Sequence, residues 1–500
     1  LILSKNLHGM EIDSRAAQIA GLALAMCARE MDRRFFRRGI QADIAVLKPV
    51  MLEEGDIPQG AALAKKKDLI DALAHLDEVG SLLAPSEDDL AALREAIELT
   101  GADGLFDGNS KNKLECALKT CEILARRHDC VVANPPYMGS SSFGPFMSKW
   151  VKQNYPDVKS DLFSSFVVRM FNLAKDHGEC GVMSPFVWMF IGSYEKLRNE
   201  MIDNRTLTSL VQLEYSGFAG ATVPICTYTF HNSFIKGYKG GYVRLSDFVG
   251  AAVQAPKALE AIGNPDCGWF YRRDAETFKR IPGTPIAYWA SDGLLSAFSL
   301  ANSISDFSDY TGSQNKTGDN NLYLRLFWEV SARSVGHKGS WATYSKGGDF
   351  RRWFGNLHWL VSIKKDAIEF YRSNPTSNLL ASKYWYSEGI CYTMLTSGKP
   401  SFRLLPPTGG FDMAGPCICG LGPNRNWALG FLNCSIAADV LNMLNPTLNM
   451  QARDIKSLPM LISDEYKPVV NGLVDSSVSI SKIDWDSFET SWDFKRHPLL

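Results

Sequence analysis

Several function classes fall away for want of features in this 500-residue chain. No apolar run reaches the roughly 20 residues that a membrane-spanning helix needs, and no signal-peptide pattern opens the chain, so no membrane partner is expected. Neither sign of charge dominates. Fifty-three basic residues face 54 acidic ones, for a net charge of −1, so any contact with nucleic acid must come from a local basic patch. Eleven cysteines are scattered, and Cys417-x-Cys419 and Cys116-x4-Cys121 are the closest pairings. Neither continues into a second pair or a histidine at zinc spacing. No metal site is expected, and the thiols read as reduced, as in a cytoplasmic protein. There is no P-loop, no Ser–His triad motif and no catalytic cysteine with a signature around it. Internal repeats and low-complexity tracts are missing too.

What is present centres on Val131 to Gly139, VVANPPYMG. The apolar run Val131-Val132-Ala133 reads as a buried parallel strand. It stops at Asn134-Pro135-Pro136-Tyr137. Each proline fixes its φ and lacks an N–H, and the residue before a proline is pushed to extended backbone. Pairing therefore ends here, leaving an amide, two carbonyls and an aromatic ring on a stiff corner. In open α/β sheets, ligands bind outside the carboxyl ends of strands, which is where this corner lies.

Upstream, Leu7 to Asp13 reads as a strand ending in acids, and Ser14 as the N-cap of a helix with Ile19, Leu22, Ala23, Met26 and Cys27 on one face. Such an acid can accept ribose hydroxyls or can merely serve its helix, and the corner at Asn134 favours the ligand. Residues 40–50 suit a strand, and 61–76 and 87–99 suit helices. Asp77 is a candidate second ligand-facing acid, although a structural role fits it too. Downstream, Asp161 is expected to cap a helix closing at Gly178, followed by strands at Gly181–Met183, Leu210–Leu213 and Cys226–Phe230. Alternation of strands and helices predicts an α/β fold with a doubly wound, mostly parallel sheet.

NPPY after a hydrophobic strand, DLFxxF at a helix start, and an acidic GMEID some 120 residues upstream resemble the gamma-class amino (N6-adenine) DNA methyltransferases. The ordered set GMEIDSRAAQIAGLAL, VVANPPYMGS, YPDVKSDLFSSFV, WMFIGSYEKLR, GNLHWL and NPTLN is similar to the PglX-type adenine methyltransferases of BREX phage-defence systems, across essentially the whole chain. That resemblance implies a Rossmann-like catalytic sheet followed by an α+β target-recognition domain. It implies S-adenosylmethionine as cofactor, double-stranded DNA as partner, other phage-defence proteins as companions, and site-specific adenine methylation as activity. Glu11 would then bind the cofactor ribose, with Asp13 assisting and Phe166 packing on the cofactor's adenine ring, unless Phe166 is only a core residue. Phe218 would be a second stacking face for the target base, unless it is a loop anchor. The glycine-rich loop that such enzymes place before the acidic strand is not among these residues, and the chain is expected to be a fragment.

The chemistry accounts for the residue types. The exocyclic amine of adenine is conjugated and weakly nucleophilic. The Asn134 side-chain oxygen and the Pro135 carbonyl can each accept one of its N–H groups, with Pro136 holding the corner and Tyr137 stacking on the base. The base must leave the duplex to arrive there.

Beyond Phe230 the alternation fades, and 241–305 reads as a linker or insert between a catalytic domain at 1–240 and a DNA target-recognition domain at 306–500. In the latter, Lys346, Arg351, Arg352 and Trp353 interleave charge, glycine and aromatic rings, which suits phosphate and base contacts. Two other readings stay open. One is a non-catalytic DNA-binding scaffold that kept the fold. The other is methylation of RNA or of a protein amide, against which the long C-terminal half argues.

Overall fold

The computed structural model describes residues 2–102, 108–215, 217, 223–309, 314–395, 398–445 and 450–500, with only the backbone of residues 101 and 102. Two compact units are present, one of residues 1–188 and 193–276, the other of 189–192 and 277–500.

In the first unit, strand β1 (His8–Glu11) pairs in parallel with β2 (Asp43–Val46), with helix α1 (Ser14–Met31) connecting them. Asp13, not Ser14, caps α1, its carboxylate accepting from the N–H of Arg15 at 2.7 Å and of Ala16 at 3.2 Å. The longer acceptor reach of Asp13 suits N2 and N3 donors, and Ser14 becomes the first helical residue. The apolar face expected of α1 is not buried: Ile19, Leu22 and Met26 are all more than half exposed. Helix α2 (Gly108–Ala125) leads into β3 (His128–Ala133), which ends one residue before Asn134.

Helix α3 (Leu162–Leu173) follows, capped by Asp161, whose carboxylate accepts from the N–H of Phe163 at 3.2 Å. It ends five residues before the expected Gly178, because Ala174 already pairs with His128 at the start of β4 (Ala174–Pro185). Strands β5 (Thr206–Gln212), β6 (Ile225–His231), β7 (Lys239–Arg244) and β8 (Phe270–Asp274) complete a sheet ordered β3-β4-β6-β5-β7-β8. The sheet is mixed and not mostly parallel. β3–β4 and β5–β7 are parallel, whereas β4–β6, β5–β6 and β7–β8 are antiparallel. β6 lies antiparallel between β4 and β5, which makes the sheet mixed. β7 and most of the following segment to β8 fall in the stretch 241–305, so strands of this sheet run into it. Phe163, Val167, Trp188, Leu210, Phe230 and Tyr242 are fully buried around the sheet.

β1 and β3 belong to different sheets, and neither has a second strand partner among the described residues. They meet at their amino ends, where the His8 and His128 rings lie 5.3 Å apart and Arg126 reaches Asp43 at 3.7 Å.

The second unit is α+β. Strands β9 (Leu324–Leu326), β10 (Trp341–Ser345), β11 (Trp359–Ser362) and β14 (Gly409–Phe411) form a sheet ordered β14-β10-β11-β9. β12 (Gly389–Tyr392), β13 (Phe402–Leu405) and β15 (Cys417–Cys419) form another, ordered β13-β12-β15. Helices α4 (Arg425–Leu432), α5 (Ser435–Leu444) and α6 (Lys467–Asp486) pack with this smaller sheet around Ile390, Phe402, Ile418, Leu429, Val440 and Trp485. No single helix among the described residues is long and apolar enough to cross a membrane.

Candidate active site

The NPPY corner leaves β3 as the prolines require. Pro135 is buried while Asn134, Pro136 and Tyr137 are exposed. The backbone after the corner is tied to the start of α3: the N–H of Leu162 donates to the Met138 carbonyl at 2.9 Å, and that of Ser140 to Ser160 at 3.0 Å. The Tyr137 hydroxyl donates to Asn134 Oδ1 at 3.0 Å and approaches the Met183 carbonyl, near the end of β4, at 3.4 Å. Burial raises the Tyr137 phenol above its ordinary value, so it keeps its proton to donate. Asp161, at the far end of this tie, is half-buried. Burial pushes its carboxyl above the ordinary range, against the backbone N–H groups that favour its charge.

A second group of residues gathers at the carboxyl end of β1. Glu11 Oε1 accepts from the N–H of Ile12 at 2.8 Å and of Asp13 at 3.0 Å, so the carboxylate curls over its own turn with one oxygen left for other contacts. Asp13 is spent on capping α1. The turn Gly80–Leu82 packs against both β1 and α3. Gly80 has φ +51°, and a Cβ there would stand 2.9 Å from Ile12, so glycine is what lets the two loops touch. Asp77 lies exposed just before this turn.

Two residues that the periodicity did not single out hold that turn. Arg169 is buried and donates to the Ser81 carbonyl at 2.8 Å and to the Leu124 carbonyl at the end of α2. Tyr155 is buried and donates to the Leu82 carbonyl at 2.6 Å. The signal for Arg169 was there to read, since a charge inside the apolar helix 162–173 must have found acceptors. Phe166 is only partly buried, although its neighbours Phe163, Ser164, Ser165 and Val167 are all buried. Phe218 lies outside the described residues.

The four basic and aromatic residues expected to contact DNA sit near β10, in the second unit. Lys346 is engaged with Asp412 and Asn320, both at 3.2 Å. Arg351 donates to the Phe354 carbonyl at 3.1 Å, pairs with Asp484 and lies 5.0 Å over the Trp485 ring. Arg352 is partly exposed, with its guanidinium 5.5 Å from the Phe350 ring centre. Trp353 has φ +72° and packs on the core. No cluster of metal-ligating side chains occurs among the described residues.

Residues 5–218 match the family model of the Eco57I restriction-modification methylase. The whole chain aligns at 29% identity with the adenine-specific methyltransferase BrxX of Escherichia coli O9:H4 (strain HS), and at 30% with the adenine-specific methyltransferase PglX of Lacticaseibacillus casei (strain Zhang). In each case it covers 44% of the relative, so it spans less than half the length of these curated proteins. Among solved structures, the type IIL restriction-modification enzyme MmeI in complex with DNA superposes with a TM-score of 0.49 at 11% identity, over 80% of this chain and 56% of that one. Over its whole length the chain is therefore similar to adenine-specific methyltransferases, and residues 5–218 carry the Eco57I methylase pattern.

Proposed function

We propose that the chain carries the catalytic and target-recognition parts of a site-specific N6-adenine DNA methyltransferase that serves a BREX-like phage-defence system. The observation that carries this reading is the corner Asn134-Pro135-Pro136-Tyr137 at the end of β3, close-coupled to the partly exposed helix α3. S-adenosylmethionine supplies the methyl group when bound. The residues fit it: Glu11 keeps one carboxylate oxygen for ribose hydroxyls, and the open Phe166 ring offers a face to a purine. Asp77 is an exposed acid on the turn beside them.

On the substrate side, Asn134 Oδ1 and the Pro135 carbonyl accept the two N–H groups of a flipped adenine and localise its nitrogen lone pair. Tyr137 turns its ring to the base, with Phe218 as its counterpart. The fixed φ of both prolines keeps the acceptors in place without reorganisation during the reaction. Target recognition falls to the second unit, where Lys346, Arg351, Arg352 and Trp353 lie.

Methyl transfer from labelled S-adenosylmethionine to DNA tests the reading, with RNA and protein as alternative acceptors. Asn134→Ala should abolish transfer to DNA while leaving cofactor binding intact. Full activity in that variant refutes the role of the corner, and a full-length protein that binds no cofactor is a scaffold.

A further inference from the structure

Three large apolar side chains stand in the open on one part of the second unit. Phe350 is 59% exposed, Leu395 68% and Met413 40%. They come from three chain segments that are bonded to one another. The Thr393 hydroxyl donates to the Gly348 carbonyl at 2.9 Å, and the N–H of Met394 to the Ala414 carbonyl at 3.0 Å. Gly347, at φ +78°, comes so near Ala414 that a Cβ would meet its carbonyl oxygen at 2.8 Å. Each base is also anchored from behind: Asn356 donates to the Asp349 carbonyl at 2.9 Å, Met450 to Met394 at 2.8 Å, and Met413 to Asn315 at 3.1 Å. Stiff loops thus hold apolar tips in water, against the hydrophobic effect.

Cations stand on these segments. Arg352 lies against the Phe350 ring, and Lys399 is exposed. Asp349 is the opposing acid on the same loop, and Lys346 is already bonded to Asp412. Beneath the loops, Arg403 is fully buried. It donates only to neutral oxygens, of Arg351 at 3.3 Å, Ser401 at 3.5 Å and Thr393 at 3.3 Å. No carboxylate pairs with it among the described residues. An anionic polymer that also offers an apolar interior satisfies both features. Duplex DNA is such a polymer, and rigid apolar wedges set among cations are how proteins enter a base step.

Resting on the DNA reading above, we propose that Phe350, Leu395 and Met413 form a wedge that enters between base pairs of duplex DNA and loosens the stack. The wedge is a feature separate from the Asn134 corner.

Binding of the protein to two pools of random-sequence duplex, one intact and one with a single unpaired nucleotide, tests it by fluorescence anisotropy. Insertion is cheaper where stacking is already broken, so the wild type should bind the bulged pool several-fold more tightly. Phe350→Ala and Leu395→Ala should lose that preference and bind about tenfold more weakly, as the loss of a stacking contact implies, while Phe350→Trp should retain it. Equal preference in wild type and both alanine variants overturns the wedge, and methyl transfer in the same variants shows whether the Asn134 reading survives. Loss of affinity with the preference intact overturns it too, and leaves the patch as a DNA contact that does not enter the stack.

Discussion

Tyr137 donates its hydroxyl to the very oxygen of Asn134 that a target amine would need. One lone pair of the acceptor is thus taken by its own neighbour three residues on, and under the proposed function an arriving base either shares the oxygen with the phenol or displaces it. Tyr137→Phe keeps the ring and removes this competitor. It should leave kcat within a few-fold and KM for DNA equal or lower. Tyr137→Ala loses the stacking face and should cost about 1–3 kcal/mol, roughly 5- to 150-fold in kcat/KM. Steady-state methyl-transfer kinetics decide, and a Phe variant as damaged as Ala would tell against the stacking role.

At Asp161 the prediction concerns pH. Burial raises its folded pKa above the ordinary 3.8, so the native state holds its proton longer than the unfolded chain. Its contribution to stability therefore falls as pH rises through a window starting near the ordinary value. Asp161→Asn retains a good cap and removes the titration, and its denaturant midpoint should vary less between pH 4.5 and 7.5 than that of the wild type. Asp161→Ala should cost about 1 kcal/mol at pH 4.5 and less at pH 7.5.

Asp56 behaves in the opposite sense. Burial alone would raise its pKa, but Lys113 and Ser110, both at 2.7 Å, and the N–H of Glu53 at 2.9 Å outweigh it and hold the pKa low. Its stabilisation is present above the ordinary carboxylate range and is lost as pH falls through the depressed folded value. Asp56→Ala should destabilise the first unit by about 1–3 kcal/mol at neutral pH, because it removes the acceptor shared by Lys113, Ser110 and the Glu53 N–H. Thermal unfolding of the two proteins at pH 3 and 7 should show the gap closing in acid.

Arg351 and Lys399 should separate structural from DNA-contacting charge. Arg351→Ala is expected to lower the melting temperature and leave the salt dependence of DNA binding unchanged, since its guanidinium is committed to Phe354, Asp484 and Trp485. Lys399→Ala should leave the melting temperature alone and reduce the slope of log K against log salt by about 0.9. A slope change in Arg351→Ala would return that residue to the interface.

Legibility followed locality. The corner at Asn134 could be read because two prolines fix their own backbone, whatever surrounds them. The cap at Asp13 was displaced by one residue from Ser14, a choice between adjacent acceptors that the bare sequence leaves balanced. The fates of Lys346 and Arg351 could not be read, because their partners Asp412 and Asp484 lie 66 and 133 positions away. The apolar stripe of α1 announced a buried face, but periodicity says only that a face is apolar and not what covers it. The antiparallel β6 turned an expected mostly parallel sheet into a mixed one, and strand direction is not written in the composition of a strand.

Arg169 has a mechanical consequence. One guanidinium grips the end of α2 and the turn beyond Asp77 from within α3, so these three segments cannot slide independently. An arginine stays charged across the pH range of life, so the grip works like a rivet and not like a latch. Amide exchange in α2, at Ser81–Leu82 and in α3 should therefore rise and fall together, and Arg169→Met should let each region breathe on its own clock.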